Sequence, residues 1–155
     1  MRWIGLIALF VLFTGLTPAK SVVTVVIDAG HGGNDPGHLS GISALKPEKD
    51  INLRVAKLVG GYIQKYLGNV RVLYTRTTDK FISLDDRVEL ANSKNADYFV
   101  SIHCNGNPKR SVHGTETHVH NFQAKRSYNL ARDIEREFKS RAGRHSRGVK
   151  NNDDR

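Results

Sequence analysis

The feature that most constrains the fold is the stretch from Val22 to Gly33, VVTVVIDAGHGG. A short run of Val and Ile is typical of a buried β-strand rather than of a helix. The glycines that follow allow a sharp turn at the carboxyl end of the strand, where open α/β sheets bind their ligands. His31 lies in that turn. It is a candidate metal ligand or general base, and a solvated histidine in a flexible turn is the alternative.

The rest of the chain alternates predicted helices and strands. One helix is predicted to enter at Lys46-Pro47-Glu48 and to end near Gly68, and Ser83 is predicted to cap a second helix. Strands are predicted over residues 70–74, 97–103 and 114–120, followed by an amphipathic helix. This order predicts an α/β fold, in which a mainly parallel or mixed twisted sheet is flanked by helices.

Two of the predicted helices carry apolar residues at helical spacing. The first helix has apolar residues at helical spacing, which is typical of a buried face; they are Ile51, Val55, Leu58, Val59, Tyr62, Ile63 and Tyr66. The last amphipathic helix carries Ala124, Tyr128, Ala131, Ile134 and Phe138. No regular element is assigned to the basic, glycine-punctuated residues 141–155.

The amino terminus predicts export. Arg2 precedes an apolar run too short to span a bilayer, and the small residues Thr17 and Ala19 lie just before Lys20. We expect residues 1–19 to be a signal peptide and residues 20–155 to form one domain, without stable membrane insertion after cleavage. An uncleaved anchor helix is the alternative. Cys104 is the only cysteine, so no internal disulfide can form, and it is either a nucleophile or a small residue at a strand end.

The charge indicates what kind of partner the chain attracts. The formal net charge is +9, which favours a polyanionic partner. The predicted export and the lack of an aromatic-basic RNA motif argue against nucleic acid as the partner. An anionic cell wall or membrane surface fits export better, whereas a charge that only maintains solubility is the alternative. We expect a monomer.

His31, Glu48 and His103 form a candidate metal-ligand set. Two histidines and one glutamate with an open fourth position are typical of catalytic zinc sites. His31 and Glu48 are too far apart in the sequence for one helix to carry both, so this is not the motif in which a single helix presents two histidines and a glutamate. Five other histidines are equally available by residue type, and we expect them on the surface or in loops: His38, His113, His118, His120 and His145.

An ordered set of motifs sharpens this assignment. IDAGHGG with Asp35-Pro36-Gly37 is followed by EKDINL, DRVELAN, ADYFVSIHCN and GTET. From about residue 22 to 150 the chain resembles the zinc-dependent N-acetylmuramoyl-L-alanine amidases of the AmiA/AmiC type. The resemblance implies a phosphorylase/hydrolase-like α/β fold and zinc bound by His31, Glu48 and His103. It also implies cleavage of the amide between N-acetylmuramic acid and L-alanine in peptidoglycan, in the periplasm or cell wall, and a possible activator protein.

The chain departs from this family at the catalytic base. The family's catalytic glutamate lies in a later strand, and nothing after Gly148 supplies it. We therefore expect the catalytic domain to be incomplete at its carboxyl end, without its last strands and helix. Glu116 is the candidate replacement base, with a structural or substrate role as its alternative. A catalytically inactive peptidoglycan-binding protein is the alternative function. Asp28 either orients a metal ligand or forms the turn.

Overall fold

A computed structural model of the chain describes residues 21–39, 46–107, 109 and 111–151. The elements are β1 (Val23–Ala29), α1 (Glu48–Tyr66), β2 (Val70–Tyr74), α2 (Leu84–Ser93), β3 (Tyr98–Ile102), β4 (Thr115–Val119), α3 (Lys125–Ser140) and β5 (Ser146–Asn151). This order confirms the predicted α/β class. The predicted signal peptide lies outside the described residues. Within them, no helix combines the length and the apolar character needed to cross a membrane.

The strands form two parallel sheets. β1 lies at the centre of a three-stranded sheet of order β2-β1-β3, and β4 pairs with β5 in a second sheet. The chain leaves β1 for β2 on one side and returns to add β3 on the other. In such a topology the carboxyl ends of the two strands at the switch point enclose a crevice. Ala29 of β1 lies opposite Ile102 of β3, so the residues after both strands meet at that edge.

The core of the first sheet lies between β1 and α1. Alternate residues of a strand point to opposite faces, and Val25, Ile27 and Ala29 of β1 pack with Ala56 of α1. Ile27 and Ala56 are fully buried. The opposite face of β1 ends in Asp28, which is also buried.

The buried face of α1 differs from the predicted apolar one. Five of the seven apolar residues are exposed: Ile51, Val55, Leu58, Tyr62 and Tyr66. The helix instead buries Glu48, Asn52, Ala56 and Gly60, one residue every four. The small side chains allow a close approach to the sheet, since a Cβ atom on Gly60 would collide with the Tyr74 hydroxyl. The buried face of α1 is therefore the face that can lie closest to the sheet, and hydrophobicity alone does not identify it.

The helix starts follow the sequence signals. Pro47 immediately precedes α1, whose first turn carries Glu48 and Asp50 at the positive end of the helix dipole. Ser83 caps α2, and its hydroxyl oxygen accepts a hydrogen bond from the Asp86 N–H at 3.1 Å. Both predicted starts are confirmed.

No regular element is predicted from the sequence for residues 141–155, and this prediction is wrong. β5 lies within the basic segment and pairs in parallel with β4. Its sequence, SRGVKN, gives a weak strand signal, because Val149 is its only strong β-former and Gly148 has a positive φ of 82°. Pairing with β4 and packing against α3 supply the stability that local propensity lacks.

A buried carboxylate joins α3 to the second sheet. Glu135 accepts hydrogen bonds from the hydroxyls of Thr115 at 3.1 Å, Thr117 at 2.7 Å and Ser146 at 2.6 Å. Only 5% of Glu135 is exposed. One side chain on the helix thus links β4 and β5, and it satisfies the polar groups of both strands.

Glu135→Ala should destabilise the protein by about 1–3 kcal/mol, because it leaves these hydroxyls without their acceptor. The measurement is the free energy of unfolding in urea, followed by circular dichroism. Glu137→Ala is the matched control, since Glu137 lies on the same helix and its side chain is exposed. Equal losses in the two variants would contradict a special role for Glu135.

Candidate metal centre

The structure brings the three predicted ligands together at the carboxyl edge of the first sheet. His31 lies in the turn after β1, His103 directly follows β3, and Glu48 is the first residue of α1. His31 Nε2 lies 3.2 Å from both Glu48 Oε1 and His103 Nδ1. His103 Nδ1 lies 3.1 Å from Glu48 Oε1. These three side chains are called the metal-ligand cluster below.

Asp35, which the sequence analysis did not single out, fixes the orientation of His31. Its Oδ2 atom lies 2.8 Å from His31 Nδ1, so the neutral imidazole carries its proton on Nδ1. The hydrogen bond from His31 and the Gly37 N–H lower the pKa of Asp35, which therefore stays ionised. The lone pair of His31 Nε2 is left directed at the cluster. An aspartate four residues after a histidine in a glycine-rich turn is the sequence signal for this contact.

The arrangement of donor atoms fits a bound cation. In the tautomer with its proton on Nδ1, His31 presents the lone pair of Nε2 to the cluster, 3.2 Å from the Glu48 carboxylate. Two ligand atoms at about 2.0–2.1 Å from one ion, with a tetrahedral angle between them, lie about 3.3 Å apart. The distances of 3.1–3.2 Å within the cluster are close to this separation. The residues therefore fit a metal ion with nitrogen and oxygen ligands.

Backbone N–H groups hold the Glu48 carboxylate in place. Oε2 accepts from His38 at 2.9 Å, and Oε1 accepts from Cys104 at 2.8 Å. The amide of Asn52, one helical turn further along α1, donates to Oε1 at 3.3 Å. Burial alone would raise the pKa of Glu48, but these hydrogen bonds outweigh it and lower the pKa. Glu48 is thus a fixed, ionised carboxylate.

Cys104 has a structural place beside the cluster. It is half-buried, and its thiol donates to Asn52 Oδ1 at 3.4 Å. Burial, together with the nearby Glu48 charge, raises the pKa of Cys104. A protonated thiol is a poor nucleophile. Of the two sequence hypotheses for Cys104, the structure favours the small residue at a strand end.

Glu116 lies on β4, outside the metal-ligand cluster. Its carboxylate contacts His118 Nε2 at 3.1 Å, Arg147 Nη2 at 2.9 Å and the Asn105 amide at 2.5 Å. Burial would raise the pKa of Glu116, but the contacts with His118 and Arg147 lower it. The five other histidines are all exposed, as predicted.

Two buried arginines near the cluster also escaped the sequence analysis. Arg76 and Arg87 donate to backbone carbonyl groups around the cluster. Asp28 accepts from Arg87 and from the hydroxyls of Thr75 and Ser101. Asp28 therefore contacts an arginine instead of a metal ligand. Arginine-to-carbonyl contacts leave no residue pattern in a sequence, so only the fold reveals them.

Comparison with known proteins places these observations in a family context. Residues 25–153 match the family model for N-acetylmuramoyl-L-alanine amidase. The chain is 39% identical over 132 residues to Uncharacterized protein YqiI of Bacillus subtilis (strain 168), covering 84% of this chain and 61% of YqiI. It is 41% identical over 128 residues to N-acetylmuramoyl-L-alanine amidase LytC of the same strain, covering 82% of this chain and 25% of LytC. The chain therefore spans less than two thirds of either relative.

A solved structure has the same fold. The crystal structure of N-acetylmuramoyl-L-alanine amidase from Clostridium difficile 630 matches with a TM-score of 0.79 and 37% sequence identity. The match covers 86% of this chain and 71% of that chain. The α/β architecture described above is thus the architecture of a known amidase.

Gly30→Ala should weaken metal binding by at least about 10-fold, a loss typical of disturbing a ligand's surroundings. A Cβ atom at this position would overlap the His103 imidazole and displace it from the cluster. The measurement is the metal dissociation constant, from competition with a chelating dye. Gly61→Ala is the control, because a Cβ atom there meets no other atom within 4 Å. Equal affinities in the two variants would contradict this packing role.

Proposed function

The chain belongs to the N-acetylmuramoyl-L-alanine amidase family, and we propose that it is a zinc-dependent hydrolase that cleaves the amide between N-acetylmuramic acid and L-alanine in peptidoglycan. The observation that carries the proposal is the convergence of His31, Glu48 and His103 with ligand atoms 3.1–3.2 Å apart. Two histidines, one carboxylate and an open position form one of the common ligand sets of catalytic zinc. We further propose export to the periplasm or cell wall, where this substrate lies.

Some contacts hold the proposed metal ligands in place, and one side of the cluster is open for the substrate. Asp35 keeps His31 in the tautomer that binds through Nε2, and the backbone keeps Glu48 ionised. The His103 side chain is 46% exposed, whereas that of Glu48 is 5% exposed, so the cluster is open to solvent on the His103 side. When bound, zinc supplies the Lewis acidity that polarises an amide carbonyl and makes water a nucleophile near neutral pH.

Hydrolysis also needs a group that moves a proton. Water adds to the amide carbon, the C–N bond breaks, and a base takes the water proton and delivers it to the leaving amine of L-alanine. We propose Glu116 for this role because its carboxylate is ionised, as a base must be, although the lowered pKa that keeps it ionised also makes it a weaker base. Asn105, which donates to Glu116, follows His103 by two residues and links the two sites along the chain.

The charge of the chain supports a wall substrate. The formal net charge is +9, and cell walls carry anionic polymers. Long-range attraction between opposite charges raises the rate of encounter and weakens with added salt. We propose that this charge increases association with the wall, while the cluster determines which bond is cut.

Replacing any one ligand of the cluster with alanine should remove the metal. We expect about one zinc ion per wild-type chain and less than about 0.1 in His31→Ala, Glu48→Ala or His103→Ala, because too few ligands remain to hold the ion. The measurement is zinc content by mass spectrometry after dialysis, together with new L-alanine amino termini released from peptidoglycan. His120→Ala, at an exposed histidine, is the control. Stoichiometric zinc in all three variants would refute the site.

Glu116→Gln should leave zinc content unchanged and lower the rate of peptide release by about 10²–10⁴-fold, since an amide of the same shape cannot accept the proton. The measurement is the initial rate of amino-terminus release, with Glu137→Gln as the control at an exposed acid. A wild-type rate in Glu116→Gln would exclude Glu116 as the base.

A non-hydrolysing peptidoglycan-binding protein is the second candidate function. The observation that favours it is that His118, Arg147 and Asn105 already occupy the Glu116 carboxylate. Such a protein would sediment with purified cell wall and release no peptide, although it would still carry zinc. Peptide release by the wild-type chain indicates the hydrolase, and sedimentation without release indicates the binding protein.

A further inference from the structure

We propose that Arg76 and Arg87 are positioning residues of the metal centre, whose guanidinium groups fix the backbone at two of the three ligands. Only 4% of Arg76 and 5% of Arg87 is exposed. Neither residue contacts a ligand side chain among the hydrogen bonds and ion pairs of the described residues. The inference rests on the proposed function, because it requires that the metal-ligand cluster bind a metal.

Arg87 holds the turn that carries His31. From α2 its guanidinium donates to the carbonyl of Ala29 at 2.9 Å and to that of His31 at 3.0 Å. Its Nε group donates to the carbonyl of Ile82 at 3.0 Å, which ties the same side chain to the segment before α2. Arg87 thus connects the start of a helix to the backbone of a metal ligand.

Arg76 joins this turn to the helix that carries Glu48. It donates to the carbonyls of Ala29 at 2.8 Å, Gly30 at 2.9 Å and Lys49 at 2.8 Å. Gly30 directly precedes His31, and Lys49 directly follows Glu48. One guanidinium therefore fixes the distance between the backbone next to His31 and the backbone next to Glu48.

The turn needs such support because its backbone is strained. His31 has a φ of 62°, in the left-handed region that residues other than glycine rarely adopt. Strained conformations persist only where the surroundings over-determine them. The two arginines donate hydrogen bonds to the carbonyls of Ala29, Gly30 and His31, and these bonds hold three consecutive residues in this conformation.

Arg87 is itself held in place by the sheet. Asp28 accepts from Arg87 Nη1, and it also accepts from the hydroxyl of Thr75, after β2, and from that of Ser101, on β3, each at 2.6 Å. The position of one guanidinium therefore depends on β1, on β3 and on the residue directly after β2. Through Arg87 the rigid sheet determines where His31 lies.

Lysine cannot replace arginine in this arrangement. A guanidinium presents several N–H groups in a fixed planar fork, whereas an ammonium group is a single point of charge on a flexible stem. Arg87→Lys keeps the charge and loses the fork, so it tests the geometry of these contacts. Arg76→Lys tests the second half of the pair independently.

The experiment measures metal binding by the whole chain. Metal-free wild type, Arg87→Lys and Arg76→Lys are titrated with cobalt(II), and the visible absorption of the bound ion reports its coordination geometry. Zinc dissociation constants come from competition with a chelating dye. We expect each lysine variant to bind zinc about 10–100-fold more weakly, the usual loss on removing a residue that orients ligands, and to show an altered cobalt spectrum.

A core variant separates positioning from a general loss of stability. Ile27→Ala removes a fully buried side chain of β1 that faces α1, so it should lower the melting temperature. We expect its zinc affinity and cobalt spectrum to match those of the wild type below the melting transition. Wild-type affinity and spectrum in folded Arg87→Lys and Arg76→Lys would overturn the proposal, as would equal losses of affinity in Ile27→Ala.

Two further outcomes are decisive. If Arg87→Lys does not fold, Asp28→Asn replaces it, because this isosteric change removes the charge that holds Arg87. We then expect zinc binding about 10-fold weaker, and wild-type affinity would overturn the proposal. If the wild type itself binds no metal, the proposed function fails, whereas metal binding that is insensitive to these arginines refutes only the positioning role.

Discussion

The parallel pairing of β1 with β3 is the constraint on which the rest of the structure depends. It sets Ala29 opposite Ile102, and His31 and His103 therefore emerge at one edge of the sheet. A register shift of one residue would move one histidine along the strand by about 3.3 Å and would turn alternate side chains to the other face. The separations of 3.1–3.2 Å within the metal-ligand cluster cannot survive such a shift.

Order at this edge has a cost in stability. Asp28, Glu48, Asn52, Arg76 and Arg87 are all buried there, and buried polar groups are tolerated only when their hydrogen bonds are satisfied. Each finds partners in the carbonyls, hydroxyls or amides described above, so the edge depends on contacts that must all form together. A metal ion that binds only the folded cluster adds its binding free energy to folding. A metal ion bound at the cluster would therefore stabilise the fold, and folding in turn forms the cluster.

The sequence predicted which side chains meet at this edge better than it predicted the contacts that orient them. Apolar strands that end in His31 and His103 follow a local pattern, and the order of the elements places both at one sheet edge. Arg76 and Arg87 bind backbone carbonyls, which every residue possesses, so no pattern of residue types identifies these contacts. β5 was missed because its stability comes from pairing with β4 and from α3 rather than from local propensity.

The proposed metal site and the proposed base, Glu116, belong to different parts of the fold. The cluster is built by β1, β3 and α1, whereas Glu116 lies in the second sheet, paired with Arg147 of β5. The contact between Asn105 and Glu116 joins these parts close to His103. The ligands, their tautomer and their backbone support are all complete without the second sheet. Under the proposed function, a chain of this architecture can keep a bound metal and lose hydrolysis, which is why zinc content and peptide release report on two separate properties of the same molecule.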